Sequence, residues 1–355
     1  MADTRSTGIS IKVVGVGGAG GNALQRMARS GTEGVDLLAL NTDVQALRRL
    51  KKVHSFAIGP ETTGGVGSGG HPEIGRKAIK ESQDQVSQLL ERTDMVFIAA
   101  GLGGGTGSGA APVVGEIARR HGALTVGVVT MPFSFEGSQR WDTARSELLR
   151  LQQKVDTLIV VENDRLLPSV DNRLSLEKAF ELADDALLQG VRGVAEIVAL
   201  PGLINVDFAD VKAIMTNGGP SFMSIGEGKG RSASRDAAET ALSNPLFDAP
   251  LEGATGILLN IRGGNDLSLG QVHEAAEIVR GATRSDANVV FGVVQQRGLN
   301  GRVRLTLIAT RIRKRAETHD KIEAAVSRGV EKDPQQLVLA QAPGSNGHSS
   351  PAPRV

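Results

Sequence analysis

The chain contains no cysteine and no tyrosine, and aromatic residues make up only 3% of its 355 positions. Without cysteine there is no disulfide, no thiolate nucleophile and no cysteine-ligated zinc. So few rings leave little on which to stack single-stranded bases. An excess charge of one sign is missing too: 40 basic against 39 acidic residues leave +1, so no general field draws the chain to nucleic acid or lipid. Its six histidines have no H-x-x-x-H spacing, which speaks against a transition-metal site, and no metal ligand is assigned. No apolar run approaches the ~18 residues of a membrane span, and nothing resembles a secretory leader. The expectation is a soluble cytoplasmic protein with no nucleic-acid partner and no direct membrane insertion.

What the chain has in quantity is glycine, 45 residues of it, concentrated in two loops. The first, Gly15-Val16-Gly17-Gly18-Ala19-Gly20-Gly21-Asn22, follows the apolar run Ile9 to Val14. The second, Gly103-Gly104-Gly105-Thr106-Gly107-Ser108-Gly109, follows Met95 to Ala100. Both lead into helical patterns. One such loop is often only a tight turn. Two in one domain suggest a pocket for several phosphates, because glycine lets backbone N–H groups approach an anion and each helix offers its positive end. A nucleoside di- or triphosphate is the expected ligand.

Between Ile9 and Val161 six short apolar runs alternate with helical patterns: Ile9–Val16, Val35–Leu40, Val53–Ile58, Met95–Ala100, Leu124–Thr130 and Thr157–Val161. Helical spacing marks Pro72–Leu90, Ala110–His121 and Ser138–Gln153. Such alternation is read as α/β, a parallel sheet covered on both faces. A long helix is expected from Ser175 to about Ala199, stopped by Pro201-Gly202. A smaller α+β domain follows, with strands at Ser221–Gly226, Gly256–Arg262, Asn288–Gln295 and Arg302–Thr310 making a four-stranded sheet. The domains expected are thus 1–8 disordered, 9–174 nucleotide-binding, 175–200 connecting helix, 201–312 α+β, and 313–355 a charged linker and disordered tail.

The first loop contains G-x-G-x-x-G at Gly15, Gly17 and Gly20, with Asp36 near the spacing of a ribose-binding acid. A nicotinamide-dependent oxidoreductase therefore stands as an alternative. A dehydrogenase, however, has no need of the second loop. G-x-x-x-x-G-K-[ST] is missing, which disfavours a P-loop NTPase. Backbone amides would hold the polyphosphate, with Thr106 and Ser108 as side-chain donors.

The second loop resembles the signature of the tubulin/FtsZ family, whose usual form has Thr where Ser108 stands. Asn41-Thr42-Asp43, Pro132 to Gly137 with Arg140, Asn163 to Leu167, Gln189-Gly190-Val191 and Pro201 to Val211 are similar to segments of the same family, in colinear order. The resemblance implies a GTP-hydrolysing cytoskeletal protein that binds GTP or GDP with Mg²⁺. Such a protein polymerises head-to-tail with itself into the filaments of a bacterial division ring at midcell. It also implies division-protein adaptors of unidentified kind. An alternative within the family is a polymer that binds GTP without hydrolysing it.

Residue by residue, the resemblance sets Gly17, Gly18, Gly20 and Gly21 along the α- and β-phosphates, with Gly104, Gly105, Thr106, Gly107 and Ser108 on the other side. Asn41, Asp43 and Thr130 join the nucleotide-binding set, as do Gly69 and Gly70 of the γ-phosphate-sensing segment. That segment departs from the usual form at Gly70 and His71. Glu136 is implied at the ribose and Arg140 at the phosphates. Guanine presents N1–H and N2–H₂ donors, and the resemblance gives them Asp185 as acceptor, with Asn163 and Asn22 at the base edge and Phe180 stacked. By spacing alone Asp184 and Asp185 equally fit a solvated helix face.

Asp207 and Asp210 are three apart and share a face if a helix begins there. They read equally as an N-cap and a first-turn acid. The resemblance makes them catalytic: carried into the pocket of the next subunit, they would polarise the water that attacks the γ-phosphate while Asn205 positions it. The tail ends Ser349 to Val355, unlike the acidic-apolar docking peptide of many relatives; Leu337-Val338-Leu339 is its one apolar cluster.

Overall fold

The structure, a computed structural model, describes residues 8–31, 34–166, 175–199, 202–244, 251–283, 286–296 and 298–311. The expected disordered start, except for Gly8, the linker and tail, and the cluster Leu337-Val338-Leu339 lie outside the described residues.

The expected α/β alternation is present. In order come β1 (Ile11–Val16), α1 (Gly17–Ser30), β2 (Asp36–Asn41), α2 (Val44–Arg48), β3 (His54–Ala57), α3 (Pro60–Thr63), α4 (Pro72–Glu81) and α5 (Gln83–Leu90). Then follow β4 (Met95–Gly101), α6 (Thr106–Arg120), β5 (Leu124–Met131), α7 (Ser138–Gln152) and β6 (Thr157–Glu162). The long helix is α8 (Leu176–Ala199), followed by α9 (Phe208–Met215). The rest comprises β7 (Gly219–Lys229), α10 (Ala233–Leu242), β8 (Gly256–Gly263), α11 (Leu269–Gly281), β9 (Asn288–Gln295) and β10 (Arg302–Thr310).

Strands β1 to β6 are all parallel, in the order β3-β2-β1-β4-β5-β6. β4 and β5 are buried along almost their whole length, as strands covered on both faces must be. The four later strands do form the expected sheet, with β7, β10 and β8 antiparallel and β8–β9 parallel. One feature differs from the reading by sequence: β7 also pairs in parallel with β6, Thr157–Ile159 against Gly219–Ser221. The ten strands are therefore one sheet. A second difference is that Pro72–Leu90 forms two helices. Ser82 interrupts it, turning its hydroxyl to accept from Gly59 N–H at 2.9 Å, a local bond that competes with helix continuation.

α8 ties the two halves together. Leu187, Leu188, Val191, Val194 and Ala195 join a core shared with Ile11 and Phe97 on one side and Leu258 and Ile308 on the other. Further along, Glu196 pairs with Arg192 at 2.8 Å and with the buried Arg262 of β8. α8 runs parallel to α1: Asp184 lies by Asn22, Asp185 by Arg26, and Arg192 donates to Ser30 O and Gly31 O. Both helices thus run from the carboxyl ends of the parallel strands to their amino ends.

Candidate functional site

The chain leaves β1 to build β2 and β3 on one side, then returns to build β4, β5 and β6 on the other. The order reverses between β1 and β4, and ligands of open α/β sheets bind beyond such a reversal, at the strands' carboxyl ends. Both glycine segments sit there, because β1 runs into α1 and β4 into α6. Part of each segment is a helix first turn rather than a loop: Gly17-Gly18-Ala19-Gly20 opens α1 and Thr106-Gly107-Ser108-Gly109 opens α6, while Gly103-Gly104-Gly105 precede α6. Neither helix has a side-chain cap, whereas α2 is capped by Asp43 and α11 by Ser268. First-turn N–H groups without a cap are open to an anion, at the positive end of the dipole. The close approach of the two helices requires glycine: Gly17 has φ +74°, and a Cβ on it would lie 2.9 Å from Gly107 N.

The hydroxyls around this cradle fasten its parts to one another. Thr106 Oγ1 lies 2.7 Å from Thr42 Oγ1 and 3.0 Å from Ser68 Oγ. These buried contacts join the second glycine segment to the β2 end and to the Gly67–His71 loop, in which Gly69 and Gly70 both have positive φ. Ser108, expected to donate to a phosphate, is fully buried, and its Oγ accepts from Gly103 N–H at 2.9 Å. Asn41 is buried, its Oδ1 accepting from Asp43 N–H at 3.3 Å, while Asp43 caps α2. Thr130 is the penultimate residue of β5, and its carbonyl accepts from Leu102 N–H at 2.9 Å. Sequence reasoning did not single out Thr42 or Ser68, whose part depends on contacts between segments distant in the chain.

Glu136 and Arg140 are partners in this structure. One Glu136 oxygen accepts from Phe133 N–H at 2.8 Å and the other pairs with Arg140. The Phe180 ring, 39% exposed, meets Phe133 edge-on at 5.6 Å and Phe135 at 6.3 Å. Asn163 follows β6 and is buried, and its Oδ1 has no hydrogen-bond partner. A buried acceptor left unsatisfied is costly unless something arrives to donate to it. With the uncapped helix ends, this is the donor and acceptor set that a nucleotide fits.

The adjacent carboxylates are distinguished by helix phase. Asp184 is four residues from Phe180 and so shares its face of α8, whereas Asp185 lies about 100° further round. The Asp184 side chain is 14% exposed against 48% for Asp185. Burial pushes the Asp184 carboxyl up to about 6, opposed by the Arg26 charge and a hydrogen bond from Asn22. Arg26 Nη1 lies 3.0 Å from Asp185 Oδ1, and Arg26 also faces Glu181 at 3.7 Å and Asp184 at 4.0 Å. The carboxylate beside Asn22 and on the Phe180 face is therefore Asp184, one position before the residue assigned by sequence.

Asn205, Asp207 and Asp210 are exposed and far from this cradle. α8 is 24 residues long, about 36 Å at helical rise, and they follow its far end. α9 ends at the amino end of β6, where Thr157 Oγ1 donates to Met215 O at 2.5 Å. Asp207 is the N-cap residue of α9, yet its carboxylate makes no capping bond. Asn205 Oδ1 accepts from Gly202 N–H at 2.6 Å. Among the described residues no three His, Cys, Asp or Glu side chains cluster to hold a metal, and no helix is long and apolar enough to cross a membrane.

Comparison with known proteins agrees with this architecture. The Tubulin/FtsZ family GTPase domain matches residues 10–171, and the FtsZ family C-terminal domain matches residues 219–313. An empty FtsZ dimer from M. jannaschii superposes with a TM-score of 0.84 at 43% identity, over 86% of this chain and 89% of that one. The GTPγS-bound protofilament of CetZ2 from Haloferax volcanii gives 0.72 at 23% identity, over 90% and 99%, a likeness of fold alone. Because the first of these relatives is archaeal, the bacterial origin expected from sequence does not follow from the family. The chain belongs to the tubulin/FtsZ family of cytoskeletal GTPases and carries both the GTPase domain and the FtsZ-type C-terminal domain.

Proposed function

We propose that this chain hydrolyses GTP at a site built from two copies of itself, joined head-to-tail into filaments. The observation that carries the reading is Asp207, exposed and free of its capping bond, at the opposite end of the sheet from the uncapped glycine helices. Within one copy the two lie about a helix length apart, on the order of 36 Å. A second copy stacked in the same direction would bring its acids to the first copy's phosphates. Such a heterologous contact propagates into a filament when its rotation does not close a ring.

In this mechanism the first-turn N–H groups of α1 and α6 bind the phosphates and take up charge as the γ-phosphoryl group leaves. Arg140, released from Glu136, supplies a counter-charge, and Glu136 is then free to accept from the ribose. Asp184 accepts from the guanine N1–H and N2–H₂, Asn22 and Asn163 contact the base edge, and Phe180 stacks on it. Asp207 and Asp210 of the next copy accept hydrogen bonds from the attacking water and orient it in line, with Asn205 beside them. Mg²⁺ would be held mainly by phosphate oxygens and supplies charge neutralisation when bound. The filaments fit a cytoplasmic division ring at midcell, with adaptors that recognise the polymer.

Phosphate release from GTP, followed across a protein concentration series with light scattering in parallel, tests the reading. Turnover and scattering should rise together above one threshold, with ATP inactive. Turnover proportional to concentration without scattering would place a complete site within one copy and overturn the proposal.

A further inference from the structure

α1 contributes more to the base pocket than Asn22. One turn beyond it, Arg26 is 28% exposed and its guanidinium stands among three carboxylates of α8, those of Glu181, Asp184 and Asp185. We infer that Arg26 is a positioning residue for base recognition, holding the Asp184 carboxylate on the face of α8 that reads guanine. The inference rests on the GTP-binding reading above.

Two forces act on that carboxylate. Burial and the neighbouring Asp185 and Glu181 favour its protonated form; Arg26 and the Asn22 amide favour the charged form. A protonated acid offers guanine a donor where the base itself presents donors, so the pocket needs the charged form. Arg26 is the cation facing Asp184, and Asn22, on the same helix, is its neutral partner. On α8 itself, Lys178 is engaged by Glu181 at 2.7 Å. The fork of Arg26 also bridges to Asp185 at 3.0 Å, which keeps the guanidinium from turning away from Asp184. A lysine would keep the charge but not this fork.

The test is equilibrium binding of GTP, and of inosine triphosphate lacking the N2 amino group, from pH 5 to 9, for the wild type, Arg26→Gln and Arg26→Lys. In the wild type, GTP affinity should fall as pH drops through about 6. In Arg26→Gln that fall should move upward through neutrality. Affinity at pH 7 should then be at least ~5-fold weaker and recover by pH 9, since a tenfold change follows each pH unit of displacement. The preference for GTP over inosine triphosphate should shrink with it, and Arg26→Lys should lie between. If Arg26→Gln fails to fold, Arg26→Lys decides alone: a profile and base preference equal to the wild type overturn the inference. A wild type that does not bind GTP refutes the parent reading instead. A wild type that binds GTP while Arg26→Gln shows an unchanged profile refutes only the role of Arg26.

Discussion

Replacing Asp184 by Asn should make the nucleotide-free protein more stable, and by an amount that depends on pH. The carboxyl is raised in the fold from 3.8 to about 6, chiefly by burial. An acid whose pKa is raised binds its proton more tightly folded than unfolded. Its charged form therefore costs stability in full above about pH 6, and the cost fades as pH falls towards 4. A displacement of this size corresponds to about 3 kcal/mol at pH 8 and roughly half that at pH 5. Asn has nearly the same shape and no charge to desolvate. Urea denaturation without nucleotide should give Asp184→Asn a midpoint well above wild type at pH 8, a smaller gain at pH 5 and almost none at pH 4. The same variant should bind GTP more weakly at pH 8, because an amide cannot accept from both guanine donors without also presenting its own. A variant that is destabilised at pH 8, or whose gain does not vary with pH, would refute the assignment of Asp184 as the buried carboxylate.

Asp210→Ala should still bind GTP yet lose on the order of 100-fold in turnover, with filaments that outlast wild type in light scattering. Gly17→Ala forces a side chain into positive φ and against Gly107; it should lose more than ~1 kcal/mol in denaturation and most GTP binding in a titration. Glu196→Gln strips the buried Arg262 of its carboxylate, and urea denaturation should show a loss of about 3 kcal/mol.

The parallel sheet was legible because β4 and β5 read as uninterrupted apolar runs, and glycine at a strand exit points to a phosphate site whatever follows. That only part of each glycine segment forms a helix first turn was not legible. Nothing in G-G-G-T-G-S-G marks where helical geometry begins, and the boundary is set by packing of Gly17 against Gly107. The choice between Asp184 and Asp185 was undecidable from adjacency, since it turns on the phase of α8 against α1. Arg26 escaped for a related reason: its partners lie about 160 positions away, and an arginine on an amphipathic helix ordinarily faces solvent. The pairing of β7 with β6 has no local signal at all, because it depends on α8 and α9 returning the chain to the amino end of β6.

Placing the glycine helices at one end of the sheet and Asp207 and Asp210 at the other gives any string of these subunits two chemically unlike ends. On the proposed head-to-tail mechanism, one terminal subunit would hold a nucleotide that no neighbour's acids reach, and the other would present acids with no nucleotide beneath them. Such a string would have one competent site fewer than it has members, so a dimer would turn over at about half the per-subunit rate of a long filament. Only the first terminal subunit would have its nucleotide open to solvent, so exchange of spent GDP for GTP would be confined to that end. Growth and renewal would then differ at the two ends of a polymer whose subunits are all the same.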